Sequence, residues 1–144
     1  MAKFEIIVGS VLGASEYVAD ALKETLQAAG HSDVTIHLQP DINEMDQQAT
    51  WIICTSTHGA GDLPDNIQPL ALQLAKKNLA SVKFLVVGLG DSSYDTFCNG
   101  AMQMQDILEN AKATLLAPAI HIDVLNHPIP EDTAVEWLEN WIKE

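Results

Sequence analysis

Three short stretches hold most of the residues that chemistry would need. The first, WIICTSTHGAGDLPDN over residues 51–66, leaves an apolar string for Ser56, Thr57, His58, Gly59, Ala60, Gly61 and Asp62, then meets Pro64. The second comprises Gly9, Ser10, Val11, Leu12, Gly13, Ala14 and Ser15, and it leads directly into a helical pattern. The third comprises Leu89, Gly90, Asp91, Ser92, Ser93, Tyr94, Asp95, Thr96, Phe97 and Cys98. None of them contains Lys or Arg. The turn from Ser10 to Ser15 can nevertheless bind phosphate, because free backbone N–H groups, the helix dipole and two hydroxyls direct donors to one place. It is not a P-loop, since no Gly-Lys-Ser/Thr follows, and it is not G-x-G-x-x-G, since Gly9 and Gly13 are four apart. An ordinary helix cap explains the same residues equally well. A lone His or Tyr on a loop is most often plain surface. His58 and Tyr94 beside a phosphate loop, however, point to a planar ligand between them, a nucleotide or a flavin.

The elements that would position these loops follow from hydrophobic periodicity. Phe4 to Val8, Val34 to Leu38, Trp51 to Thr55, Val82 to Leu89 and Leu115 to Val124 read as five short strands, aliphatic or β-branched as in a sheet covered on both faces. The first, third and fourth are expected to be central. Ala14 to Ala29 reads as a helix with Tyr17, Val18, Ala21, Leu22 and Leu26 on one stripe and Gly30 as its stop. Asp65 to Lys77, Thr96 to Lys112, and Glu131 to Lys143 with Val135, Leu138 and Ile142 read as three more. Alternating strands and helices predict an α/β fold, a doubly wound parallel sheet of order 2-1-3-4-5. Ligands bind such sheets outside the strands' C-terminal ends, where the switch point falls between strands one and three.

Composition narrows the function classes. A chain of 144 residues, 47% hydrophobic, fits one globular domain, residues 1–144, with a sizeable core. No apolar run approaches the roughly 20 residues of a bilayer span, and the N-terminus lacks a signal-peptide pattern, so a cytoplasmic protein is expected. Seven basic against twenty acidic residues give a net charge of −13. That charge disfavours nucleic acid and anionic membranes and steers the protein toward a basic partner, although it serves solubility as well. Cys54 and Cys98 have no metal-ligand spacing and are expected to be reduced, one a buried thiol and the other a loop thiol. No Ser/His/Asp grouping or metal cluster stands out, and no metal site is expected.

The three loops, in this order and spacing, resemble the flavodoxin-like FMN domains of diflavin reductases and the short flavodoxins. Ser-Thr-x-Gly-x-Gly-Asp-x-Pro-Asp-Asn and Gly-Leu-Gly-Asp-Ser-Ser-Tyr-x-x-Phe-Cys carry the resemblance. The closing Asp123-Val-Leu-Asn-His-Pro-Ile-Pro-Glu-Asp, with Glu136-Trp-Leu after it, is similar to that of small free-standing flavoproteins, so the likeness covers nearly the whole chain. It implies one non-covalent FMN, its phosphate at Ser10, Val11, Leu12, Gly13, Ala14 and Ser15. His58 takes the inner ring position and Tyr94 the outer, with Ser56, Thr57, Gly59, Ala60, Gly61 and Asp62 completing the second loop. Leu89, Gly90, Asp91, Ser92, Phe97 and Cys98 line the edges of the ring system. The resemblance further implies that the peptide of Gly59 can turn its carbonyl toward the flavin N5, which glycine does without steric penalty. No long insertion splits the last strand, as in short-chain members. Three positions depart from the pattern: Leu12 replaces a hydroxyl residue, Asn126 stands near where relatives have an acid, and His58 replaces Tyr or Trp.

The resemblance implies a monomeric electron carrier rather than an enzyme. It would pass single electrons from a flavodoxin/ferredoxin NADP reductase type donor to an acceptor enzyme such as biotin synthase, although no motif names either. An FMN-dependent NAD(P)H quinone reductase is the alternative reading. A receiver domain shares the fold but needs an acid at the end of strand three and acids after strand one, where Thr55-Ser56 and Gly9-Ser10 stand. With no cation in the loops, the lower one-electron couple of the flavin is expected to be strongly depressed.

Overall fold

The computed structural model describes residues 3–10, 13–57, 62–93 and 97–143. Strands β1 (Phe4–Gly9), β2 (Val34–His37), β3 (Thr50–Thr55) and β4 (Lys83–Gly90) pair in parallel in the order β2-β1-β3-β4. Helices α1 (Ala14–Ala28), α2 (Gln68–Leu74), α3 (Asn99–Asn110) and α4 (Pro130–Ile142) cover the sheet. One face of the sheet packs Ile7, Trp51, Ile53, Phe84 and Val86 with α2 and α3. The other packs Phe4, Ile6, Val8, Ile52, Leu85 and Val87 with α1 and α4. Successive strand residues thus go to opposite cores, and this is why the strands read as unbroken apolar runs rather than alternating ones.

The expected fifth strand from Leu115 to Val124 is two pieces, β5 (Thr114–Leu115) and β6 (Ile120–Asp123), both parallel to β4. Phe84 faces Leu115 and Val87 faces Ile120, so two residues of β4 are spanned by four of the partner. Pro118 lies in that break, and a residue with no N–H cannot donate to the ladder. The overall order is therefore the 2-1-3-4-5 expected, with its last position shared by two short segments.

The helices depart from expectation at their edges. The buried stripe of α1 is Ser15, Val18, Ala19, Leu22 and Leu26, and Tyr17 is 68% exposed. At 100° per residue Tyr17 falls on the opposite side of the helix from that stripe. Gly30, at φ +98, ends α1: its N–H donates to the Gln27 carbonyl and the next N–H, of His31, to Leu26, a Schellman closure. The second expected helix opens as a 3₁₀ turn over Asp65–Ile67 and is helical only to Leu74, where the N–H of Lys76 and Lys77 reach back three residues rather than four. In α4, Ala134 and Leu138 are buried, while Val135 and Ile142 are half-buried. Among the described residues no helix is long and apolar enough to cross a membrane.

Candidate functional site

The loops leaving β1, β3 and β4 converge at the C-terminal edge of the sheet because those strands are neighbours in one parallel sheet. Val11, Leu12, His58, Gly59, Ala60, Gly61 and Tyr94, all expected in the site, lie outside the described residues, as do Asp95 and Thr96. The remaining expected residues can be placed.

The first loop begins where β1 has no room for a side chain. A Cβ on Gly9 would run into the Thr55 side chain, whose Cβ would stand 2.9 Å away. The carbonyl of Gly9 accepts from the Ser56 N–H at 3.0 Å. The N–H of Ser10 donates to Asn66 Oδ1 at 3.0 Å, and Ser10 Oγ accepts from the Gly13 N–H at 2.9 Å. Gly13 itself sits at φ +90 and forms the N-cap of α1, its carbonyl accepting from the Glu16 N–H at 3.1 Å. A left-handed residue at this point turns the chain abruptly into the helix, and glycine adopts that conformation without a Cβ penalty. Ala14 is exposed. Ser15 is fully buried, and among the described residues its Oγ has no hydrogen-bond partner. A buried hydroxyl without a partner is costly, and this one lies in the first turn of a helix whose leading N–H groups carry partial positive charge.

The second loop is tied to the third through α3. Thr57 Oγ1 accepts from the Gly100 N–H at 2.9 Å, and a Cβ on Gly100 would come within 2.7 Å of the Ser56 carbonyl. Asp62 is exposed, while Leu63 is buried in the α2 and α3 core, so the loop is anchored by an apolar residue beside its acid. Asp65 is exposed as well, 3.4 Å from Gln68 Nε2.

In the third loop Leu89 is buried and Gly90 is pressed against Cys98: a Cβ there would stand 2.8 Å from the Cys98 N and 3.0 Å from Phe97 Cδ1. Asp91 closes a local turn by accepting from the Ser93 N–H at 2.9 Å. Ser92 donates its N–H to Asp123 Oδ1 at 3.2 Å, which joins this loop to the end of β6. Phe97 meets His121 edge to face, centroids 6.4 Å apart. Cys98, expected as a loop thiol, is instead fully buried at the N-cap of α3 with φ +54, and burial pushes its thiol up to about 12. Cys54 is buried too, its thiol likewise pushed up to about 12 by burial, and its Sγ lies 3.5 Å from the Ser15 carbonyl. Neither is a ready nucleophile. Among the described residues no group of three or more His, Cys, Asp or Glu is arranged to hold a metal.

Two residues outside the expected set shape the rim. Asn66 holds the first loop from the far side of the second. Asp123 accepts from Ser92, from the Leu125 N–H at 3.1 Å and from Asn126 Nδ2 at 3.0 Å. A Ser92 side-chain hydrogen bond foremost, against some desolvation, and then the Leu125 and Ser92 N–H groups and nearby His127 hold the Asp123 carboxyl below the usual range. Asn126, a departure from the family pattern, thus supports an acid three residues earlier. Both residues stand inside quoted motifs. Their partners lie 56 and 31 residues away in sequence, a proximity that only the assembled sheet supplies.

With this geometry established, known proteins supply a context. The flavodoxin family model matches residues 6–137. The chain is 42% identical to the protein MioC of Escherichia coli strain K12 over 99% of this chain and 97% of that one. It is 36% identical to flavodoxin YqcA of the same strain over 98% and 97%. A cysteine-substituted flavodoxin from Pseudomonas aeruginosa superposes with a TM-score of 0.88 at 32% identity, covering 96% of this chain and 95% of that one.

Proposed function

The chain belongs to the flavodoxin family, whose members carry electrons, and from that premise we propose that it binds one FMN at the three-loop rim and passes electrons between protein partners. The observation that carries the reading is the Ser15 hydroxyl, buried in the first turn of α1 with no hydrogen-bond partner among the described residues. A terminal phosphate satisfies such a donor together with the leading N–H groups of the helix. The left-handed Gly13 lets the backbone approach that anion closely.

When bound, FMN supplies one- and two-electron redox chemistry, and the protein supplies its placement and electrostatics. Ser10, Gly13, Ala14 and Ser15, with Val11 and Leu12, would hold the phosphate. Ser56, Thr57, His58, Gly59, Ala60, Gly61 and Asp62 would hold one side of the ring system. Leu89, Gly90, Asp91, Ser92, Tyr94, Phe97 and Cys98 would hold the other. The glycines at 90 and 100 bring the second and third loops together, since a side chain at either would strike backbone. The rim carries Asp62, Asp65, Asp91 and Asp123 and no Lys or Arg in its three loops. Its charge therefore suits a basic redox partner. We propose as well a flavodoxin/ferredoxin NADP reductase type donor, an acceptor of the biotin synthase class, a cytoplasmic location and a monomeric state, a reading that the family likeness supports.

The test is reconstitution. The purified chain titrated with FMN should quench flavin fluorescence at one equivalent, and it should not oxidise NADPH until a flavodoxin reductase is added. Steady NADPH oxidation by the FMN-loaded chain alone would instead make it a quinone reductase type enzyme. Reduction through the added reductase should slow several-fold from 50 to 200 mM salt, since that range shortens the screening length to well under the size of the rim.

A further inference from the structure

The peptide joining Gly9 to Ser10 is held on both of its sides by the two ends of the second loop. Its carbonyl accepts from the Ser56 N–H at 3.0 Å, and its N–H donates to Asn66 Oδ1 at 3.0 Å. Carbonyl and N–H of a trans peptide point in opposite directions, so these two bonds fix the plane. Asn66 also spends both protons of its amide, one on the Val8 carbonyl at 2.6 Å and one on the Leu38 carbonyl at 3.0 Å. The three partners settle which end of the carboxamide is oxygen, because one is a donor and two are acceptors.

The place of these bonds in the sheet explains what they do. The β1 to β2 ladder ends where Ile7 faces His37. Backbone groups of residues 8 and 10 point to one edge of an extended strand and those of residue 9 to the other. The carboxamide therefore receives Val8 and Ser10 on the β2 edge, where that strand has run out, while Ser56 takes Gly9 on the β3 edge. Asn66 serves as one more rung of the sheet, supplied by a side chain.

We propose that Asn66 is the positioning residue of the phosphate loop. It fixes the direction in which the chain leaves β1, and with it Ser10 Oγ, which accepts from the Gly13 N–H and so shapes the turn that presents Ser15. The inference rests on the FMN reading above. It also makes a claim that reading does not: the Ser10 N–H is committed to Asn66 and is not a phosphate donor.

The experiment compares FMN with riboflavin, which has the ring system and no phosphate, by fluorescence titration of the full-length chain and of Asn66→Ala and Asn66→Asp. The aspartate keeps an acceptor for Ser10 but sets a carboxylate without protons against two carbonyls. Partial unfolding weakens both ligands by the same factor, so the FMN-to-riboflavin affinity ratio does not register a merely structural loss. That ratio should fall about 10- to 100-fold in both variants, the range expected when charge-assisted hydrogen bonds to phosphate are misaligned. Asn78→Ala, a control before β4 at the opposite end of the sheet, should leave it unchanged. Variants that keep the wild-type ratio overturn the role of Asn66 alone, whereas a wild type that binds neither flavin overturns the cofactor reading. Should both variants fail to fold, amide exchange in the wild type decides. Slow exchange at Ser10 in the free protein, unaltered by FMN, supports the assignment, and rapid exchange overturns it.

Discussion

Two polar regions share β1, and they are finished differently. Glu5, the second residue of the strand, is almost fully buried, accepts from the Asp46 N–H at 3.0 Å and stands 3.3 Å from His37 Nε2. Around it, Lys3 Nζ reaches Asp46 at 3.4 Å and Trp51 Nε1 donates to the Asp46 carbonyl at 3.0 Å. Most of this cluster closes on itself: the Glu5 and Asp46 carboxylates, the Lys3 ammonium and the Trp51 indole N–H each meet a group of the same chain, and His37 Nε2, close to Glu5, makes no hydrogen bond among the described residues. At the other end of the strand, the first loop is held by side chains from far away in sequence, turns through a left-handed glycine and leaves the Ser15 hydroxyl without a protein partner. Buried polar groups that satisfy one another mainly support the fold, whereas a buried donor left unsatisfied is a cost that a ligand can recover. The two ends should therefore answer mutation in opposite ways.

Gly13→Val should show the largest effect. The left-handed backbone costs an L-residue about 1–2 kcal/mol, and a β-branched one more, so the melting temperature falls by a few degrees. FMN affinity should fall about 100-fold by titration, because two or so charge-assisted bonds lose their alignment. A variant with wild-type FMN affinity would detach this loop from the cofactor.

Glu5→Ala should do the reverse. It strips the Asp46 N–H of its buried acceptor and takes away the carboxylate 3.3 Å from His37 Nε2, which costs about 1–3 kcal/mol of stability in chemical denaturation. FMN affinity of the folded protein should stay within about twofold, as expected for a site far from the change. A large loss of affinity with little loss of stability would erase the distinction between the two regions.

Ser15→Ala sharpens the contrast within the rim. Removing a buried hydroxyl that lacks a partner, and placing alanine in a helix, should raise the stability of the FMN-free protein by several tenths of a kcal/mol. The same change should weaken FMN about tenfold through one lost hydrogen bond to phosphate. Lower stability together with unchanged affinity would mean that the hydroxyl serves the fold after all.

Acid titration should give the smallest signal. The Asp123 carboxyl is held below its ordinary range, so its contribution is present above the unfolded value near 3.9 and is lost as pH falls through the lower folded value. The tie between Ser92 and β6 should therefore be indifferent to pH from neutrality to about 5 and weaken only below about 4. Ser92 amide exchange, corrected for its intrinsic pH dependence, reads this directly. Loosening near neutral pH would show that the Asp123 carboxylate is not what holds this tie.

Much of the fold was legible because parallel strands buried on both faces leave a pattern that tertiary context does not alter. Phe4 to Val8 and Trp51 to Thr55 could be little else, and Gly30 marks the end of α1 by a conformation that few other residues adopt. Where the signal was ambiguous, local chemistry intervened. Pro118 lies in the break of the last strand, and Ser15 and Ala19 occupy the α1 stripe in which periodicity alone places the exposed Tyr17. A small polar residue counts as surface by type, yet the helix phase placed Ser15 inside.

The sequence by itself determined the alternation of strands and helices, the chemical types in the three loops and the absence of cations there, since all are local or compositional properties. Tertiary structure decided which of those residues are spent on one another. Asn66, in a 3₁₀ turn, and Asp123, at the end of β6, are ordinary polar residues until the sheet brings β1 and the third loop beside them, 56 and 31 residues away. Cys98 was a loop thiol on paper and is buried because Gly90 leaves room for its backbone and sulfur to pack closely. Hydrogen-bond partners at that separation are set by strand order and register rather than by neighbours in the chain, so the same residue types could have been free, paired or buried.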